Sequence, residues 1–289
     1  MRLKLASSVL LLYGLTWTWA AEPAAAGDTE FVFSAPPRGE QAKEQGIYDP
    51  IAEYLTRATG QKFVYAYSHD WLTYQNRMRT GTYDLMFDGP HFVGWRMANL
   101  GHTPLVKLAD EFVFVVIARA DNQRVREVKD LSGRMVCAHS IPNLGTLALL
   151  SQFPNAARQP YITEIQGWDK AYQGVQDNKC VGTVLPLKVL KKMDSGASRK
   201  MKTLYTHPAL PNQAFTASPR VSAELQRKIA AALLSEEGKK ATAKLLEAYA
   251  AKEFVPARPG EYAGLGSLLK DVYGFGNDRA KQTLSAKDR

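Results

Sequence analysis

A chain of 289 residues with 45% hydrophobic and 22% charged side chains can bury a sizeable core in one or two domains, which excludes a disordered or fibrous protein. The formal charge of +9 is carried by scattered lysines and arginines. Their one cluster, Lys188, Lys191, Lys192, Arg199, Lys200 and Lys202, reads as a solvated helix face and loop, not as a nucleic-acid surface.

In chain order, residues 1–20 read as a secretory signal peptide. Arg2 and Lys4 precede an apolar run that reaches Trp19, and Thr18-Trp19-Ala20 supplies small residues around a cut after Ala20 or in the alanines that follow. No cysteine follows the run, so a periplasmic protein without a lipid anchor is expected. Removing Arg2 and Lys4 leaves 35 basic against 28 acidic side chains, a net charge of +7 that favours anionic ligands weakly. Residues 30–37 form a first strand ending in Pro-Pro, and GEQAKEQGI is a polar loop. Asp49 then caps a helix with Pro50 in its first position, ended by Gly60.

Residues 63–95 are the centre of the pattern. FVYAY is a β-branched and aromatic strand, Asp70 caps a helix through Trp71, Tyr74 and Met78, and YDLMFDG is a buried strand stopped by Gly89-Pro90. Such a unit makes parallel strands with a right-handed crossover, and ligands bind beyond the carboxyl ends of such strands. His69, Asp70, Trp71, Asp88 and His91 lie at those ends, as caps and packing residues or as ligand groups. EFVFVVIARAD (111–121) is a long apolar strand able to pass from one lobe to another, and NQAFTASP (212–219) is able to return. Between them, strands RMVCAHS, PYITEIQ, CVGTVLP and MKTLYTHP alternate with helices. Two Ala/Leu/Lys-rich helices, a loop and a short helix complete the chain. The alternation predicts an α/β fold with two lobes, each a mostly parallel sheet flanked by helices, with a ligand cleft between them. Lobe 1 is expected over 28–117 and 217–273, lobe 2 over 118–216, and a flexible tail over 274–289.

Cys137 and Cys180 are an even pair in an exported chain and lie in apolar runs that read as strands. They form either a disulfide or two buried thiols. GxSxG, HExxH and P-loop motifs are absent, and GLG (264–266) and GFG (274–276) lack the rest of a dinucleotide fingerprint. His69, Asp88, His91 and His139 either converge on a metal or are ordinary loop residues. No cofactor is expected.

The run YDPIAEYLTRATGQKFVYAYSHDW…MRTGTYDLMFDGPHFV resembles the periplasmic phosphate/phosphonate-binding proteins of ABC importers, as do VKDLSGRMVCAHS, GWDKAYQGVQDNKCVGTV and HPALPNQAFTASPRVSAELQRKI. The likeness spans roughly 45–240. It implies a type II periplasmic-binding fold and a monomer that closes on a small ligand and delivers it to an ABC permease. Carried over by position, the expected ligand residues are Trp71, Asp88, His91, Ser140, Asn143, Thr146, Trp168 and Gln213. Asp88 replaces a neutral group of the family, and Gln213 stands where an acidic residue is frequent. Two indoles and a carboxylate suit a cation or zwitterion, whereas the family habit and the positive charge suit an oxyanion. Two further roles fit the same fold: a sensor that presents ligand to a histidine kinase, and an exported enzyme using Asp88, His91 or His139 as acid/base groups.

Overall fold

The computed structural model describes residues 30–195 and 200–275. The expected signal peptide, the leader that follows it and nearly all of the tail lie outside the described residues.

The first lobe begins with β1 (Phe31–Ser34), α1 (Gln41–Thr59), β2 (Phe63–Tyr65), α2 (Trp71–Arg79), β3 (Leu85–Asp88), α3 (Pro90–Leu100) and β4 (Thr103–Leu108). The second is built from β5 (Phe114–Arg119), β6 (Met135–Ala138), α4 (Leu144–Leu150), β7 (Tyr161–Glu164), α5 (Trp168–Gln176), β8 (Gly182–Pro186), α6 (Leu187–Met193) and β9 (Met201–Thr206). The chain then returns to the first lobe with β10 (Ala214–Ala217), α7 (Ala223–Leu234), α8 (Glu236–Ala241), α9 (Ala243–Ala248), β11 (Phe254–Pro256) and α10 (Pro259–Tyr262).

Two mixed sheets result, in the orders β11-β4-β10-β3-β1-β2 and β7-β6-β8-β5-β9. The expected mostly parallel sheets hold for β2-β1-β3 and β7-β6-β8. The strands next to the crossings, β10 and β5, run antiparallel to their neighbours because each enters its sheet from the opposite lobe. β5 lies wholly in the second sheet and β10 wholly in the first. The lobes therefore trade chain at 109–113 and 207–213, upstream of the boundaries at 117/118 and 216/217 expected from the sequence. Phe112 and Leu210 bridge the two crossings, with each amide donating to the other's carbonyl (2.8 and 3.0 Å).

Alternation along β5 shows why its run of five apolar residues, Phe114 to Ala118, needs burial on both faces. Phe114, Val116 and Ala118 pack with Leu144 and Leu149 of α4, while Val115 and Ile117 pack with Ala171 and Val175 of α5. In the first lobe, Phe33, Phe87 and Phe215 meet Ile51, Leu55 and Ile229 on one face. Trp71, Tyr74, Met78 and Phe92 cover the other.

α1 starts eight residues before the expected Asp49 cap and carries Pro50 inside it. Pro50 has no N–H to give the Gly46 carbonyl, and Lys244 Nζ donates to that carbonyl instead (3.1 Å). The polar GEQAKEQGI stretch, expected as a loop, is helical from Gln41 onward. Gly266 of the GLG run is explained by packing: a Cβ there would lie 2.8 Å from the Trp95 Cα of α3.

Cys137 and Cys180 form a disulfide with Cα atoms 5.6 Å apart, joining β6 to the turn before β8. The link spans 43 positions. Replacing both cysteines by alanine is expected to lower unfolding free energy by about 4 kcal/mol in the chain-entropy model, measured by denaturant titration. The denatured, unreduced protein should show no free thiol.

Candidate functional site: a chamber between the lobes

Both sheets present their strand ends to one seam. On the first lobe these are the carboxyl ends of β1, β2 and β3 and the start of β10, since Asp88 pairs with Ala214. On the second they are the carboxyl ends of β6, β7 and β8 and the start of β5, since Phe114 pairs with Pro186. Arg38, Trp71, His91, Asn143, Trp168 and Gln213 line the inner chamber at this seam, together with Gly89, Leu144 and the rings of Phe112 and Phe114. The void is about 10 Å³, room for roughly one water molecule, so any larger occupant requires the lobes or side chains to part. Arg38 and Trp168 also line a wider vestibule of about 720 Å³, which adds His139, Glu44, Tyr48 and Tyr249.

Local structure sets each group. Asp70 caps α2 by accepting from the Thr73 amide (2.7 Å), which fixes Trp71 at the first turn. Gly167 takes φ +106°, a conformation disfavoured for any residue with a Cβ, and turns Trp168 toward the seam at the start of α5. The Trp168 ring meets Tyr249 edge-on at 5.2 Å and His139 at 6.3 Å. His91 Nε2 donates to the Pro142 carbonyl of the other lobe (3.0 Å), which leaves Nδ1 as an acceptor in the neutral ring. Burial pushes His91 down to about 4 and His139 down to about 3, so both are uncharged at neutral pH.

Several buried polar atoms at the seam lack hydrogen-bond partners among the described residues: Arg38 Nη1, Trp71 Nε1, both ring nitrogens of His139, Gln213 Oε1 and Tyr249 Oη. Most buried polar groups are paired, so such a convergence marks a place where something else binds. Arg38 is the one full positive charge among these six atoms. Glu44, buried on α1 beside it, also has a partnerless Oε2. Loss of hydration raises its carboxyl to about 7, against a smaller opposing pull from Arg38.

The expected ligand residues divide. Trp71, His91, Asn143, Trp168 and Gln213 reach the chamber. Asn143 is engaged in capping α4, its Oδ1 accepting from the Gly145 amide (2.9 Å). Thr146 donates its hydroxyl to the His139 carbonyl (2.6 Å), and Ser140, half-buried in the bend before α4, is outside the chamber lining. Asp88 requires a correction. It is fully buried and gripped by Arg96 through two bonds of 2.6 and 2.7 Å, with the Tyr74 hydroxyl as a third donor. Its charge is matched inside the first lobe, so it offers no free carboxylate to a cation. Among the described residues no group of three or more His, Cys, Asp or Glu side chains is placed to hold a metal ion.

Sequence reasoning passed over Arg38, although it follows the carboxyl end of β1, an interior parallel strand, where the strand-end rule points. The vestibule residues Glu44 and Tyr48 of α1 meet Tyr249, which follows α9 about two hundred positions later, and carried no local signal.

The family model of ABC-transporter phosphonate periplasmic substrate-binding proteins matches residues 33–262. The chain belongs to that family. Among solved structures, PhnD1 of Prochlorococcus marinus in complex with methylphosphonate is similar at 13% identity, with a TM-score of 0.65 over 84% of this chain and 98% of that one. A binding component of a phosphonate ABC transporter from Pseudomonas aeruginosa has 14% identity, a TM-score of 0.65, and coverage of 90% and 95%. A Xanthomonas citri protein bound to ATP has 11% identity, a TM-score of 0.64, and coverage of 83% and 97%. These likenesses show the two-lobed type II periplasmic-binding fold. Among curated proteins none matches significantly. The family is periplasmic and its members are binding proteins of ABC transporters, so a small-molecule ligand and a permease are the partners it implies. No helix among the described residues is long and apolar enough to cross a membrane.

Asp88→Asn leaves Arg96 as an uncompensated buried charge. It should cost about 3–5 kcal/mol of stability in chemical unfolding, because the pair is completely desolvated. A change below about 1 kcal/mol would show that the pair is replaceable.

Proposed function

We propose that this family member captures a small oxyanion of the phosphonate type, acting as a monomer whose lobes close on the ligand before delivery to the permease. The observation that carries the reading is Arg38, a cation at the inner chamber whose buried Nη1 has no partner among the described residues. Arg38 is half-buried, lies 5.8 Å over the Tyr249 ring and has Glu44 nearby, but an N–H kept from water without an acceptor is unfavourable until an anion arrives. Trp71 Nε1 is a second donor, and His139 adds one more from whichever ring nitrogen carries its proton. The acceptors Gln213 Oε1 and His91 Nδ1 suit a protonated oxygen of the same group.

The cation or zwitterion alternative relied on Asp88 as the pairing carboxylate, and Arg96 already occupies it. The enzyme alternative loses Asp88 for the same reason, and His91 is engaged with Pro142. The crossings at 109–113 and 207–213 supply a two-stranded hinge. Ion pairs between the lobes support the closed form, including Lys43–Asp169 at 3.6 Å, Lys192–Glu247 at 3.4 Å and Lys170–Glu40. Each is solvent-exposed and individually weak.

Arg38→Gln should weaken methylphosphonate binding by on the order of 10- to 100-fold in calorimetry, the range for a lost charge-assisted hydrogen bond. Unchanged affinity in a folded variant would remove Arg38 from the site.

A further inference from the structure

Glu44 is the buried acid that the anion reading leaves unused. It sits on the first turn of α1, six residues after Arg38, and both line the vestibule. Its seat is tight. A Cβ on Gly39 would lie 2.8 Å from Oε1, and Oε2 is buried with no hydrogen-bond partner among the described residues. Glu44 is 5% exposed, so water does not solvate its charge.

The groups that face it are few. Arg38, on the loop after β1, is the nearby cation it shares with the chamber. Lys43, its neighbour on α1, already pairs with Asp169 across the seam. The phenols of Tyr48 on α1, Tyr65 on β2, Tyr67 after β2 and Tyr249 after α9 complete its surroundings, and they are uncharged at neutral pH. Farther out, Lys192 pairs with Glu247, and Lys244 donates to the Gly46 carbonyl. One guanidinium therefore serves two negative charges once an anion enters: the ligand and the Glu44 carboxylate.

We propose that the protein takes up one proton from solvent, on the Glu44 carboxylate, as an oxyanion settles against Arg38, so that anion capture tightens as pH falls across neutrality. The inference rests on the oxyanion reading above. Two like charges sharing one buried cation raise the proton affinity of the weaker acid. The glutamate is already poised to respond, since burial lifts it to about 7 in the empty protein. An arriving anion lifts it further, so the proton is gained just above neutral pH. The neutral acid then has an O–H to donate from a position that is otherwise partnerless.

The test is calorimetry of the mature protein and of Glu44→Gln, with sulfate and methylphosphonate, in two buffers of different ionisation heat at about pH 7.5. Sulfate does not itself titrate near neutral pH. For methylphosphonate, the difference between the two proteins cancels the ligand's own protons. Wild type should take up on the order of half to three quarters of a proton more than Glu44→Gln, because the empty protein already carries about a quarter of one at this pH. Its affinity should fall by up to about tenfold per pH unit above neutrality, while that of Glu44→Gln stays nearly flat for sulfate. Equal proton uptake and equal pH dependence in the two proteins would overturn the proposal and leave the anion site standing. Failure of both anions to bind either protein at any pH would overturn the anion reading together with it. Folding is checked independently: Glu44 binds its proton more tightly in the folded state, so its own contribution to stability falls as pH rises from about 4.5 through 7, against the rise contributed by the buried His91, His102 and His139, and the difference between wild type and Glu44→Gln isolates it. A folded Glu44→Gln should lack that fall, and a variant whose melting follows the wild-type pH profile would also overturn the proposal.

Discussion

A guanidinium at a seam between two sheets, one of its amine groups sealed from water with no partner, is the constraint on which the site depends. In the empty protein Arg38 is held at a cost, and the fold must supply that cost elsewhere. It does so with a separate apolar core in each lobe, parts of which reach the seam. Because the cation comes from the first lobe and the facing Asn143 and Trp168 from the second, the chamber exists as a closed space only when the lobes meet. Capture and closure are then one event.

Two carboxylates illustrate how burial decides a role. Asp88 and Glu44 both lie in the first lobe, and both are nearly inaccessible to water. Asp88 has three donors from Arg96 and Tyr74, and Arg96 in turn donates to Thr216 (2.8 Å). That network ties α2, α3, β3 and β10 together beneath the seam and leaves Asp88 no free oxygen for a ligand, although Arg96 Nε itself has no partner among the described residues. Glu44 has an oxygen left over and a cation it does not fully own. The first carboxylate is structural and the second is free to respond to what enters. Helix α1 carries the second because it begins early, with Pro50 accommodated by Lys244 in place of the missing amide.

What was legible in the sequence was local. Asp70 as a cap, Gly89-Pro90 as a strand stop and a buried apolar strand within 111–121 all depend on neighbours a few residues away, and the structure has each of them, the strand shortened to Phe114–Arg119. What was not legible was long-range. β11, three residues long, is a strand only because β4 pairs with it. The start of α1 depends on a lysine nearly two hundred positions later. Asp88 looked available because its partners, Arg96 and Tyr74, come from two helices that flank its strand. Arg38 looked like an ordinary loop residue because the second lobe that encloses it is assigned by topology and not by spacing. The break between α8 and α9 at Thr242, whose hydroxyl donates back to Gly238, was likewise hidden in a continuous helical composition.

The central claim is that an oxyanion sits between the lobes on Arg38, and anomalous diffraction from crystals grown with arsenate tests it most directly. The account predicts an arsenic peak in the inner chamber, with an oxygen about 2.7–2.9 Å from Arg38 Nη1 and the Trp71 and His139 rings alongside. An empty chamber at saturating arsenate, or a peak held elsewhere with Arg38 still unpartnered, would contradict it.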